Sequence, residues 1–162
     1  MSLGEGLSIV PTPGEASLTV VNRTGRDLRG AILKMPAGDP RYFARIRDGE
    51  KVSSQAGREL GTTPEERSWI TNIERPSAAG TLDVHPLDAS SLRPLLERDA
   101  PGLVEAWSAL EATAGQYVDW FPPDVPVLLA QLDGGEGRTS DSGLRLESDR
   151  LLVRVVGYGG RL

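Results

Sequence analysis

The sequence predicts a mostly β protein: an antiparallel β-sandwich with a helical insertion around residues 91–114. Short runs of β-forming residues are separated by turn residues, and glycine and proline are frequent, with 19 and 12 copies in 162 residues. One later stretch has its apolar residues at helical rather than strand spacing. Because a chain of this length can bury one core, we assign residues 16–162 to a single domain.

Residues 16–52 contain the clearest strand pattern in the chain. Ser17–Asn22 is rich in β-forming residues, and residues 23–26 form a polar turn in which Gly25 can take a positive φ. Asp27–Met35 has the composition of a returning strand. We therefore expect an antiparallel meander over this part of the chain.

The third run of this meander, Arg41–Arg47, alternates in character from one residue to the next. Tyr42, Ala44 and Ile46 fall on one face, and Arg41, Arg45 and Arg47 fall on the other. A period of two is typical of an antiparallel strand that is buried on one face only.

Residues 1–15 are rich in glycine, proline and glutamate, and we expect a flexible lead-in, with Leu7–Val10 as a candidate edge strand. Met1–Leu3 is not followed by the basic and apolar regions of a signal peptide. These three residues have the character of a start added by an expression vector. This start predicts that targeting or membrane segments lie upstream in a longer natural protein.

The helical insertion is indicated by two capping residues and two sets of apolar residues. Ser91 and Asp99 are each suited to the N-cap of a short helix. The first helix carries Leu92, Leu95 and Leu96. The second carries a stripe of apolar residues at Leu103, Trp107, Leu110 and Ala114.

Two apolar runs in the C-terminal part are predicted strands, Val127–Leu132 and Leu151–Val156. The second is apolar on both faces, which is typical of a strand in the middle of a sheet or under a helix. With roughly eight or nine short strands in total, the sandwich would be of immunoglobulin-like size.

Composition and charge argue against several function classes. The net charge of −5 argues against a nucleic-acid surface, because phosphate binding needs a basic footprint. We interpret the arginines of residues 23–47 as solvated strand faces rather than as an anion site. The absence of cysteine excludes disulfides and thiolate metal sites. All but two of the 18 basic residues are arginine, whose codons are GC-rich, and this indicates a bacterial source.

Nucleophilic catalysis would have to use the single histidine, His85. Asp83 or Asp88 could orient it in a small hydrolase, and the three side chains could alternatively bind a divalent metal ion. A structural histidine in a strand explains the same residues, so we assign no catalytic residue and no cofactor.

A glycine-rich loop at residues 134–140 has the wrong spacing for a phosphate-binding loop. A calcium site built from Asp133, Glu136 and Asp141 lacks the usual ligand spacing, and a solvated loop is the favoured interpretation. Asn22 begins a glycosylation sequon, which we interpret as a turn.

Aromatic residues beside prolines suggest a ligand surface. Tyr117, Trp120 and Phe121 lie next to a pair of prolines and could bind a glycan or a peptide. The alternative is that they pack in a corner of the core, since the chain has only 3 Trp, 3 Tyr and 2 Phe residues.

Residues 20–50 resemble a pattern of bacterial extracytoplasmic β-sandwich modules. The matching positions are Val20–Asn22, Thr24, Gly25, Leu28, Ile32, Ile46, Gly49 and Glu50, and residues 151–160 are similar to the closing strand of such a module. The resemblance covers about a third of the chain and concerns turn glycines and strand apolar residues. It implies an accessory or binding unit of a membrane protein, and it contributes no catalytic residue.

From these observations we expect a non-catalytic interaction or spacer domain of a larger bacterial membrane-associated protein. The expected partner is another protein or the rest of its own parent chain, and a membrane would be reached only through segments outside this sequence. The expected location is the extracytoplasmic face of a bacterial membrane, or the cytoplasm if the chain is complete. The glycan- or peptide-binding module and the His85 hydrolase remain the alternatives.

Overall fold

The structure, a computed structural model, describes residues 6–60, 92–105, 124–133 and 151–158. This part of the protein is mostly β, with two antiparallel sheets and few helices. The strands are β1 (Gly6–Pro11), β2 (Leu18–Arg23), β3 (Leu28–Lys34), β4 (Arg41–Ile46), β5 (Lys51–Ser53), β6 (Arg58–Glu59), β7 (Val127–Leu132) and β8 (Leu151–Val156). Helix α1 spans Leu92–Asp99, a 3₁₀ turn spans Ser54–Ala56, and residues 101–105 are helical.

The three-stranded sheet has the order β1-β2-β5, and the five-stranded sheet has the order β6-β4-β3-β7-β8. The strands of residues 16–52 form as predicted, but the predicted meander does not. β2 pairs with β1 and β5, whereas β3 pairs with β4 and β7 in the other sheet. Local alternation predicts a strand, but it does not predict the partner, because the partner is selected by burial across long sequence separations.

Strand β1 includes residues that the sequence assigned to a flexible lead-in. Gly6–Pro11 pairs with β2 along its whole length, and Ile9 is fully buried. These six residues therefore belong to an edge strand, as the candidate strand over Leu7–Val10 anticipated. Six backbone pairings and a buried isoleucine compensate for the low apolar content of the segment.

One group of buried side chains, the two-sheet cluster, contains residues of both sheets. The smaller sheet contributes Ile9, Leu18 and Val20, and the larger sheet contributes Leu28, Ala31, Leu33, Phe43, Ile46, Leu128, Ala130 and Leu132. A second group, the helix cluster, joins the larger sheet to the helical residues. It comprises Ile32, Tyr42, Leu60, Leu92, Leu96, Ala100, Leu103, Val104, Val127 and Leu129.

Strands β3 and β7 contribute to both clusters, so the centre of the larger sheet is covered on both faces. Helix α1 confirms the predicted first helix, with Leu92 and Leu96 buried. Gly30 of β3 has a φ of +55°, and a β-carbon built there would lie 2.5 Å from the β-carbon of Ala100. The close approach of the helical residues therefore requires glycine at this position.

The side chains of β4 do not follow the predicted alternation. Tyr42 lies in the helix cluster, Ile46 lies in the two-sheet cluster, and Ala44 is exposed. Phe43 shares the two-sheet cluster with Ile46, although the two residues are three positions apart. The interruption lies beside the part of β3 in which Gly30 has a positive φ, and an irregularity of this kind shifts which residues face each side.

Strand β8 forms over the residues predicted for it, but its position in the sheet differs from the predicted one. Within the described residues it is the last strand of the larger sheet and pairs with β7. Val153 and Val155 pack against the two-sheet cluster, whereas Val156 is exposed. Of the β8 side chains that the structure describes, Val153 and Val155 are half-buried and Val156 is exposed, so the apolar composition predicted more burial than is found there.

Candidate interaction surface

Most of the residues singled out from the sequence as functional lie outside the described residues. These are the aromatic trio Tyr117, Trp120 and Phe121, the hydrolase candidates His85, Asp83 and Asp88, and the calcium candidates Glu136 and Asp141. Asp133 is described, and its carboxylate lies 3.5 Å from a guanidinium nitrogen of Arg29. Asp99, predicted to cap a second helix, is the last residue of α1.

Asn22 is fully buried at the end of β2. Its side chain connects the turn between β2 and β3 with the end of β4. Its Nδ2 donates to the carbonyl oxygens of Arg26 at 2.8 Å and Ile46 at 3.1 Å. Its Oδ1 accepts the backbone N–H of Thr24 at 3.2 Å and lies 2.8 Å from the Thr24 hydroxyl. Every hydrogen-bonding position of the amide is therefore used.

The backbone of Asn22 extends this arrangement to the turn after β4. Its N–H donates to the carbonyl oxygen of Glu50, and its own carbonyl oxygen accepts the N–H of Gly49. An asparagine whose Nδ2 is bonded to two buried carbonyl groups cannot accept a glycan in the folded chain. The sequon was interpreted as a turn, but Asn22 and Arg23 lie in β2 and only Thr24 lies in the turn that follows.

Asp27 joins the same two turns through its carboxylate. Oδ1 accepts the backbone N–H of Asp48 at 2.7 Å, and Oδ2 accepts the Nε of Arg45 at 2.7 Å. Asp48 in turn accepts the N–H of Gly25 at 2.9 Å. The hydrogen bond from the Asp48 backbone, followed by that from Arg45, lowers the pKa of Asp27 below its usual value.

Tyr42 and Asp99 connect the larger sheet to helix α1. The Tyr42 hydroxyl donates to Oδ2 of Asp99 at 2.6 Å. Burial, together with this bond, raises the pKa of Tyr42 well above its usual range. The hydrogen bond from Arg98 is the main cause that lowers the pKa of Asp99.

The outer face of the larger sheet, on the side of the helix cluster, carries two arginines in direct opposition. Arg29 of β3 and Arg45 of β4 are cross-strand partners, and their side chains are 45% and 53% exposed. Each lies next to a carboxylate, Asp133 for Arg29 and Asp27 for Arg45. We call Arg29 and Arg45 the arginine pair.

The exposed large hydrophobic side chains of the described residues lie at the end of β8. Val156 is 45% exposed and Tyr158 is 56% exposed. Scattered exposed apolar residues are common on protein surfaces, and nothing in the structure shows what covers these two.

Sequence reasoning did not find the bonding of Asn22 or the arginine pair. The Asn-x-Thr-Gly turn was a signal for the local bonds of Asn22, but not for its bond to Ile46, which lies 24 positions away. The opposition of Arg29 and Arg45 depends on the register between β3 and β4, which cannot be predicted from the number of arginines in the segment.

No helix in the described ranges combines the length and the apolar content needed to cross a membrane. Within the same part of the chain, no three acidic or histidine side chains form a group that could hold a metal ion. Comparison with protein-family models, with curated proteins and with solved structures gives no match.

Proposed function

We propose that this chain is a non-catalytic domain that binds a protein partner or another part of its own parent protein. The observation that carries the proposal is that polar side chains of the described residues bond the turns and helix α1 to the sheets. The pKa values of Asp27 and Asp99 are lowered, and those of Tyr42 and Arg98 are raised. All four shifts move the pKa of the group away from neutral pH.

General acid–base catalysis requires the opposite, because a proton donor or acceptor works best with a pKa near the working pH. Asp27 bonds the turn after β4, and Tyr42 bonds Asp99 of helix α1, so these polar side chains join different elements of the fold. This use of polar side chains supports a role as a stable binding or spacer unit.

The finer architecture is part of this proposal. We infer that the two sheets face each other as a β-sandwich of immunoglobulin-like size. The two-sheet cluster supports this arrangement, as does the alternation of β2, β3 and β5 between sheets, which is typical of Greek-key sandwiches. The resemblance to bacterial extracytoplasmic modules supports a place in a membrane-associated protein, outside the cytoplasm.

The enzyme alternative is tested by a hydrolysis screen with ester, phosphate and peptide substrates. The wild-type chain, His85→Ala and the matched control Glu97→Gln, an exposed residue of α1, are compared at equal concentration. We expect the wild type to show no turnover above buffer. Turnover that His85→Ala abolishes and Glu97→Gln retains would refute the proposal in favour of the hydrolase.

The interaction role is tested in the cells from which the chain comes. The full gene product and a version that lacks residues 6–158 are isolated under identical conditions, and their stoichiometric partners are compared. We expect at least one partner, or one contact within the parent protein, to be lost with the domain and restored by the 162-residue chain supplied separately. Unchanged partners, localisation and activity would refute the proposal.

A further inference from the structure

We propose that the arginine pair, Arg29 and Arg45, binds a carboxylate side chain of the protein partner. This inference rests on the proposed interaction function and specifies its chemistry. It departs from the interpretation, made from the sequence, that these arginines form solvated strand faces rather than an anion site. Arginine presents five N–H donors in a planar arrangement that matches a carboxylate, and two adjacent guanidinium groups can bind it from both sides.

The first argument is the position of the two side chains. Cross-strand partners in an antiparallel sheet have Cα atoms about 4.5–5.5 Å apart, so the side chains of Arg29 and Arg45 leave the sheet side by side on the same face. Like charges in direct opposition destabilise a sheet. Here each of the two charges has a carboxylate beside it, Asp133 for Arg29 and Asp27 for Arg45, and each arginine side chain is still about half exposed.

The second argument is that Arg45 makes a closer ion pair with the protein's own carboxylates than Arg29 does. Arg45 directs both Nε and a terminal nitrogen to one oxygen of Asp27, which fixes its orientation. Arg29 is 3.5 Å from the Asp133 carboxylate, whereas the ion pairs of Arg41, Arg93 and Arg98 measure 2.8–2.9 Å. Arg29 thus has the longest of these contacts.

Among the described residues, two polar neighbours of Arg29 do not accept a hydrogen bond from it. Gln131, its partner on β7, has a buried Oε1 without a hydrogen-bond partner in the described part of the chain, so Arg29 does not donate to it. Asp99 on the helix side already accepts bonds from Tyr42 and Arg98. An incoming carboxylate would therefore compete mainly with the long contact to Asp133.

The backbone of β3 next to Arg29 is irregular, and this irregularity favours the outward position of the Arg29 side chain. The register between β3 and β7 shifts between Arg29 and Ile32, at Gly30. Such irregularities redirect the side chains beside them and are often found next to functional sites. The alternation of β3 changes at this point, so Arg29 faces the helix side while both Leu28 and Ala31 face the two-sheet cluster.

The test is a titration of the isotope-labelled 162-residue chain followed by the NMR signals of its backbone amides. The probe is a short capped peptide that alternates glutamate and glycine, and its control has glutamine in place of glutamate. The variants are Arg29→Gln, Arg29→Lys and Arg45→Gln. The matched control is Arg93→Gln, which removes the same charge from the exposed face of α1, and each spectrum also reports whether the variant is folded.

We expect saturable, salt-sensitive shifts around the arginine pair with the glutamate peptide only. Arg29→Gln should weaken binding about tenfold, the loss expected for one charge-assisted contact, and Arg93→Gln should not change it. Arg29→Lys keeps the charge but not the planar donor group, so its affinity for the glutamate peptide should lie between those of Arg29→Gln and Arg93→Gln.

Three outcomes of the titration would overturn the inference. One is the absence of saturable shifts, and another is equal weakening by Arg93→Gln. The third is binding of inorganic phosphate to the pair without preference for the glutamate peptide, which would indicate an adventitious ion only. If the partner found with the full gene product is retained by Arg29→Gln, this inference fails while the proposed function stands.

Discussion

Substitution of Gly30 by alanine is the sharpest test of how the helical residues pack on the larger sheet. The change adds one β-carbon at a residue with a φ of +55°, and that carbon would lie 2.5 Å from Ala100 Cβ and 3.2 Å from Leu96 Cδ2. Carbon atoms in contact prefer about 3.5–4.0 Å. The helical segment must therefore move away from β3, or β3 must change its conformation.

The expected cost has two parts. A left-handed conformation costs an alanine about 1–2 kcal/mol relative to glycine, and overpacking of a buried contact costs about 1–3 kcal/mol. We expect Gly30→Ala to lower the free energy of unfolding by about 2–5 kcal/mol. Urea unfolding followed by circular dichroism measures this difference, provided that the slope with denaturant is unchanged.

The chain supplies a matched control for the backbone part. Gly25 has a φ of +79°, and a β-carbon there would meet nothing within 4 Å. Gly25→Ala should therefore cost only about 1–2 kcal/mol. Ala100→Gly should recover part of the Gly30→Ala loss in a double-mutant cycle, because it removes the atom in conflict.

The packing argument is refuted if Gly30→Ala and Gly25→Ala destabilise the protein equally. It is also refuted if the effects of Gly30→Ala and Ala100→Gly simply add, because additive effects indicate that the two positions do not touch.

Three further predictions concern the polar contacts. Asn22→Ala should lower the free energy of unfolding by about 3 kcal/mol, because it leaves buried carbonyl and N–H groups without partners. Thr24→Ala affects fewer of these bonds and should lower the free energy of unfolding by less in the same urea assay. Tyr42→Phe should cost about 1–2 kcal/mol through the lost bond to a carboxylate, whereas Tyr158→Phe on the exposed surface should cost nothing measurable. The pKa of Asp27 in the folded chain is lower than its usual value of 3.8, so its stabilising contribution should be complete above about pH 5 and lost as the pH falls below about 4. Asp27→Asn should flatten this acid-side dependence of the urea midpoint.

Each of these predictions has an outcome that contradicts it. Equal losses for Asn22→Ala and Thr24→Ala would mean that the bonds across the two turns contribute little. A loss with Tyr158→Phe as large as with Tyr42→Phe would show that the assay responds to any tyrosine change. The urea midpoint of Asp27→Asn could also fall as steeply as that of the wild type between pH 5 and pH 3. This result would show that other carboxylates cause the acid sensitivity.

Local sequence signals predicted several elements well, because those elements depend on nearby residues. The β-forming run before Asn22, the turn with Gly25 in a positive φ, and a short helix that begins at Leu92 all follow from spacing and residue type. Asp99, predicted as the N-cap of a second helix, instead ends this helix. The strand Val127–Leu132 was likewise predicted from a continuous apolar run. Turn chemistry, helix capping and side-chain period act over a few residues, so a single sequence is sufficient for them.

The failures share a different cause. The faces of β4 were assigned by period two, but the positive φ of Gly30 on the neighbouring strand accompanies a shift in that period. The predicted meander failed because β2 and β3 find their partners in different sheets. Strand β8 was expected in the middle of a sheet or under the helix because of its composition, and within the described residues it is the last strand of the larger sheet. Composition carries no information about a strand's neighbours.

For the candidate surface, the sequence alone determined that arginines are concentrated in residues 23–47 and that an Asn-x-Thr-Gly turn separates two strands. Only the tertiary structure decided that Arg29 opposes Arg45, and that Asn22 reaches the carbonyl group of Ile46. The physical reason is that residue type fixes the chemistry of a side chain, whereas strand register and sheet pairing fix its neighbours. Register and pairing are set by burial between residues far apart in the chain.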